Sequence, residues 1–216
     1  MEDLLDRLSV REVVENWAVW RDAADWERFA TVWAPHGRMM ATWFQGSAEE
    51  FIEASRAGFD RGVRILHFLG GSQIDVVGTH AVAQTKMTIS QRGSVHGVEC
   101  DVVCTGRFYD LFERVQGRWA IVHRQPIYES DRLDPVDPAA SLTLDGSLLA
   151  AFPVGYRHLA YLQTQLGYEV KRDMPGLTGP EVRALYARGA SWLEIDDANP
   201  AASGSAPGTE PARELR

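Results

Sequence analysis

Asp22 and His67 are the residues of this chain whose types and settings suggest chemistry. Asp22 closes an amphipathic first helix, and His67 lies in the otherwise apolar run Ile65-Leu66-His67-Phe68-Leu69. A carboxylate that holds an imidazole fixes its tautomer and stabilises its cation, so the pair acts as a general base. The apolar flanks oppose charging of His67 while Asp22 favours it, which sets the basicity near working pH. On local grounds Asp22 is awkward, because a carboxylate at a helix C-terminus faces the negative end of the dipole. The plain alternatives are a solvent-facing Asp22 and a core histidine at 67.

Other polar residues fall on predicted strands. Lys86 alternates with Gln84 and Thr88, and Arg107 with Thr105 and Tyr109; either set facing inward would supply a proton donor or an anion-stabilising group. His123 shares strand parity with Trp119, Ile121 and Gln125, which makes it a candidate for the cavity wall. Trp43 is expected as pocket wall. Asp110 and Arg124 are expected to pair across neighbouring strands. The histidines lack the spacing of a metal site, and neither a phosphate loop nor a nucleophile elbow is present, so no metal or cofactor is expected.

The elements that must position these residues follow from periodicity. Val10, Val13, Val14, Trp17 and Trp20 give the first helix one apolar face. Asp25 offers a cap for a short second helix, which Pro35-His36-Gly37 should end, with a brief strand at 39–44. Ser47-Ala48-Glu49-Glu50 reads as a capping box opening a third helix. Strands are then expected at 65–69 and 73–77 (one bent strand or two), 81–91, 98–112 and 119–128, with glycine-containing breaks that read as hairpins of an antiparallel meander. The fold class expected is α+β: a strongly curved, cone-shaped antiparallel sheet against three N-terminal helices. Domain limits are placed at 1–133 for the cone, 134–198 for a C-terminal helical extension packed on it or on a neighbouring subunit, and 199–216 for a disordered tail. Helices are expected at about 156–166 and 179–193.

Bulk properties narrow the function classes. The 216 residues are 45% hydrophobic with seven Trp, enough for a sizeable core. A formal charge of −8 disfavours nucleic acid and anionic membranes as partners. No apolar run approaches the roughly 18 residues of a membrane span. The acidic start Met1-Glu2-Asp3 leads straight into a helix, and Cys100 and Cys104 read as buried free thiols, so a cytoplasmic location is expected.

The stretch through about Arg132 resembles the SnoaL-like branch of the nuclear transport factor 2-like superfamily. The carrying residues are Leu8-x-x-Arg11-Glu12, Trp20-Arg21-Asp22, Asp25-Trp26-Glu27-Arg28-Phe29, Trp33-Ala34-Pro35-x-Gly37, Gly106-Arg107-Phe108-Tyr109-Asp110 and Gly117-Arg118-Trp119-Ala120-Ile121-Val122-x-Arg124. In the dehydrochlorinase, scytalone dehydratase and bile-acid dehydratase subgroup, an Asp ending helix one pairs with a His on an early strand; Asp22 and His67 match those positions. The resemblance implies a cofactor-free lyase acting on a small hydrophobic, aromatic or polycyclic substrate by elimination, dehydration or loss of a carbonyl fragment, as in a diarylpropane lyase of this branch. It also implies a homo-oligomer, with a trimer favoured. An isomerase on the same dyad and a non-catalytic binding or assembly subunit are the alternatives. A shorter helix–helix turn and a longer C-terminal segment set this chain apart from the dehydrochlorinase.

Overall fold

In the computed structural model, which describes residues 2–195, each element follows from local chemistry. Helix α1 (Glu2–Asp22) buries Val10, Val14, Trp17 and Ala18 along one stripe. Asp25 caps α2 (Trp26–Thr31) by accepting the Arg28 amide, and Ser47 with Glu50 forms the capping box of α3 (Ala48–Asp60). Strand β1 (Trp33–Met40) departs from expectation, since it runs through Pro35-His36-Gly37 instead of starting after them. Its pairing breaks between Trp33 and Arg38, so the missing Pro35 donor costs no ladder bond. Strand β2 is the short Gln45–Ser47.

Strands β3 (Arg64–Val77), β4 (His80–Val95), β5 (Val98–Val115) and β6 (Arg118–Pro135) form the expected meander. The β4–β5 and β5–β6 turns place His96-Gly97 and Gln116-Gly117 at φ of 51°, 81°, 49° and 80°. Two successive positive φ values match the right-handed twist of a hairpin, and glycine takes the second at no steric cost. The sheet order is β2-β1-β6-β5-β4-β3. It is mixed rather than wholly antiparallel, because β1 pairs parallel with β6. Three reversals from β3 onward bring β6 back beside β1 in the same direction, a consequence of topology that strand patterns do not encode. The sheet is curved but not closed, with β2 and β3 as its edges.

The main core lies between α1 and the inner sheet face, where Val102, Cys104, Phe108, Phe112 and Tyr128 are buried. The chain beyond β6 covers both faces of its own sheet. It forms α4 (Gly146–Ala150), α5 (Arg157–Gln165) and α6 (Pro180–Leu193). Helix α5 packs on the inner face with Leu159, Ala160, Tyr161 and Leu162 buried. Its N-terminus docks on Asp131 of β6, whose carboxylate accepts the His158 and Leu159 amides at 2.6 and 2.8 Å. Helix α6 seals a smaller outer cluster of Val82, Tyr109, Leu111, Ile127, Val182 and Leu185. The expected tail at 199–216 and residues 196–198 of the extension lie outside the described residues.

Candidate active site

Asp22, the last residue of α1, reaches the first third of β3. Its Oδ1 stands 2.8 Å from His67 Nδ1, and its Oδ2 accepts the His67 backbone amide at 2.6 Å. The carboxylate at the helix end is thus used twice by one residue, which offsets the unfavourable dipole. The His67 side chain is 6% exposed and that of Asp22 13%. Trp17 meets the imidazole edge-on at 5.1 Å, and Phe108 lies 5.9 Å away. With Nδ1 on the carboxylate, Nδ1 carries the proton of the neutral ring and Nε2 is a free acceptor, without a hydrogen-bond partner among the described residues. Burial holds the His67 pKa below the ordinary 6.5, Asp22 opposes that shift, and the Arg21 and Arg124 charges add to it. The ring is therefore a neutral base at pH 7.

The dyad faces a cavity lined by Trp17, Met39, Trp43, Phe51, Ile89 and Tyr128 among others, with Leu159 and Gln163 of α5 in its wall. About 30 Å³ of it is open to the centres of water molecules, room for one or two waters. The C-terminal segment is what closes it: Gln163 accepts the Thr42 hydroxyl at 2.7 Å, the Lys171 amide bonds Thr42 O, and Tyr168 packs on Trp43 at 5.2 Å.

Of the residues expected at the site, the structure brings Asp22, His67 and Trp43 together and places the other four on the opposite face of the sheet. Lys86 is exposed on the outer face, since Met87 and Ile89 take the inward parity of β4. Arg107 is also outward and binds Glu129, Gln84 and Tyr186, each at 2.6 Å. Tyr109 is covered by α6, which approaches so closely at Gly189 that any Cβ there would overlap the Tyr109 hydroxyl. His123 lies beneath Arg188 of α6, whose Nη1 donates to His123 Nε2 at 3.2 Å. The parity argument for His123 fails because of a bulge. Phe112 pairs with Ile121 but Leu111 with His123, so Val122 is the extra residue and the alternation resets. Trp119 and Ile121 remain in the main core while His123 turns outward.

Several residues on or behind the cavity wall carry weaker sequence signals. Arg124 and Asp110 form a doubly bonded pair at 2.7 Å, both fully buried, and the guanidinium lies 4.3 Å from the Trp17 ring and 4.2 Å from that of Phe108. The pairing matches expectation; its place beneath the dyad follows from the β6 bulge. Gln91 shares inward parity with Met87 and Ile89, and Gln163 lies one helical turn from Leu159, so each was legible as a polar residue on an apolar face. Arg21 carries the same signal, one helical turn after Trp17 on the apolar stripe of α1.

Residues 2–125 match the family described as SnoaL-like domain. Pea pathogenicity protein 2 of Fusarium vanettenii is 42% identical over 176 residues, spanning 80% of this chain and 76% of its own. A PEP2-like protein of the same fungus is 37% identical over 202 residues, spanning 88% of this chain and 87% of its own. Among solved structures, a putative scytalone dehydratase from Novosphingobium aromaticivorans superposes with a TM-score of 0.52 at 16% identity, covering 66% of this chain and 100% of that one. A type 2 hexachlorocyclohexane dehydrochlorinase gives 0.52 at 12% identity over 67% and 97%. At such identities these two structures speak for the fold alone, and the sequence match speaks for the family. With more than half its length matched, the chain belongs to the SnoaL-like domain family.

Proposed function

We propose that the protein is a cofactor-independent lyase that eliminates water or another small leaving group from a hydrophobic, aromatic or polycyclic molecule, with His67 as general base and Asp22 as its orienting carboxylate. The observation that carries this reading is the Asp22–His67 contact at 2.8 Å, which leaves Nε2 of a largely buried imidazole as an unpartnered acceptor on the cavity wall. The aromatic lining suits a flat apolar substrate. Entry requires α5 and the segment after it to yield, because the closed cavity holds only water-sized guests.

A screen of aromatic and polycyclic alcohols and ketones against wild type and His67→Ala tests the reading. Turnover by wild type should fall about 10²–10⁴-fold in the variant while the fold is retained. Equal turnover by both would remove His67 from the chemistry.

A further inference from the structure

The cavity holds a second set of polar groups besides the dyad, and all of them are buried. Thr42, Gln91 and Gln163 are 1%, 1% and 2% exposed, and Arg21 is 7% exposed. Their hydrogen bonds run in one direction: Thr42 Oγ1 donates to Gln163 Oε1 at 2.7 Å, and Gln163 Nε2 donates to Gln91 Oε1 at 3.2 Å. This order uses the Gln91 carbonyl and leaves its NH₂ as a terminal donor without a partner among the described residues. Arg21 is similarly under-used. Its Nη1 makes two long contacts, 3.3 Å to Ile65 O and 3.4 Å to Asp22 Oδ1, and its buried Nε has no partner among the described residues. Arg21 and Gln91 line both the dyad cavity and a smaller adjoining space that Tyr168 also lines.

A buried donor without an acceptor costs about 1–3 kcal/mol, more when charged, and with Arg21 Nε such a donor and the Gln91 NH₂ unpartnered on the cavity wall, this pattern fits a site completed by an oxygen atom. The cavity thus offers one strong acceptor, His67 Nε2, and a separate set of donors. We propose that Arg21 and Gln91 form a donor subsite for a carbonyl oxygen of the substrate, with Gln163, supplied by the C-terminal extension, as the positioning residue that aims the Gln91 amide. The proposal rests on His67 acting as base, and it narrows the substrate to a carbonyl compound with an adjacent C–H bond. His67 Nε2 takes that proton, the C–H electron pair becomes the C=C bond of an enolate, and the carbonyl pair moves onto oxygen, where Arg21 and Gln91 donate to it. Loss of a leaving group from the next carbon returns the pair to the carbonyl, and the imidazolium gives its proton to the departing oxygen. The subsite is incomplete without α5, so the family-matched region and the extension build it jointly.

Acetophenone, with a carbonyl and adjacent methyl protons, and ethylbenzene, without the oxygen, test the subsite on the full chain. The acetophenone C=O stretch should move to lower wavenumber on binding to wild type and return toward its apolar-solvent position in Arg21→Met and Gln91→Leu. Affinity for acetophenone should fall roughly tenfold to a hundredfold in these variants, with ethylbenzene affinity unchanged. In Gln163→Leu the band should broaden and move part of the way back, because the Gln91 amide is no longer held. Should Arg21→Met not fold, Gln91→Leu carries the test alone. Exchange of the methyl protons with D₂O reads the base separately: His67→Ala should lose exchange and keep the shifted band. A band equal in wild type and the donor variants, or no acetophenone binding by wild type at millimolar concentration, overturns the subsite. A shifted band with no exchange in wild type overturns the base reading and leaves the donor contacts standing.

Discussion

His67 is neutral because burial outweighs its carboxylate, and that balance is testable. The base works in its unprotonated form, so the acid limb of a rate profile falls at its pKa, below 6.5. In Asp22→Asn the interaction that raises the pKa is gone, so the limb should shift to still lower pH while the plateau rate drops, as a pH–rate titration of both proteins would read. An unshifted limb would mean that another group titrates. Beneath the dyad, Asp110→Ala would leave the Arg124 guanidinium buried and uncompensated. The expected cost is about 3–5 kcal/mol, read from chemical denaturation. Both contacts join residues that are distant in sequence. The cross-strand pairing of Arg124 with Asp110 was expected from their opposite charges, and the β6 bulge is what sets the two opposite each other, whereas the meeting of Asp22 and His67 was carried by family resemblance.

Helix α5 is held where it is by Asp131, and it in turn closes the cavity. Asp131 accepts two α5 amides and also stands 2.8 Å from His158 Nδ1. Asp131→Ala removes these interactions together, so α5 should open locally. Amide hydrogen exchange in residues 157–165 should rise well before global unfolding, while β5 and β6 stay protected. Equal protection in both proteins would show that packing alone holds the helix. Leu159, 1% exposed and in the cavity wall, gives the complementary case. Leu159→Ala should cost about 2–5 kcal/mol and enlarge the cavity, so binding of small aromatic probes should strengthen even as the melting temperature falls. The sequence showed both C-terminal helices through their apolar spacing. It carried no sign that α5 would take the inner face and α6 the outer, because the two amphipathic stripes are chemically alike.

Across the whole molecule, two histidines are buried neutral on opposite faces of one sheet. Burial, with the Arg188 and Arg38 charges, lowers the His123 pKa to about 4. Its Nε2 accepts from Arg188, so a proton there would set two donors against each other, and Gln125, which favours the charge, is the smallest of the influences on the ring. The unfolded chain takes up this proton near 6.5 and the folded chain only near 4. The stability is complete above pH 6.5 and is lost as pH falls toward 4, by about 3 kcal/mol from this residue. His67 adds in the same direction. Thermal melts between pH 7 and 4 should show the decline, and His123→Gln should flatten it; a parallel decline in the variant would place the titration elsewhere.

By itself the sequence determined the longer helices and strands, the caps of α2 and α3 and the hairpin turns, because these depend on local conformation and on periods of 2 and 3.6. The tertiary structure decided which strand face met the helices, where the β6 bulge reset the alternation, and that β1 would lie parallel to β6. Those outcomes depend on pairing register and on chain path, which no local preference encodes. Lys86, Arg107, Tyr109 and His123 were placed by parity and turned away from the site by register. Gln91, Gln163 and Arg21 face it because the strand, the extension and the helix end converge there.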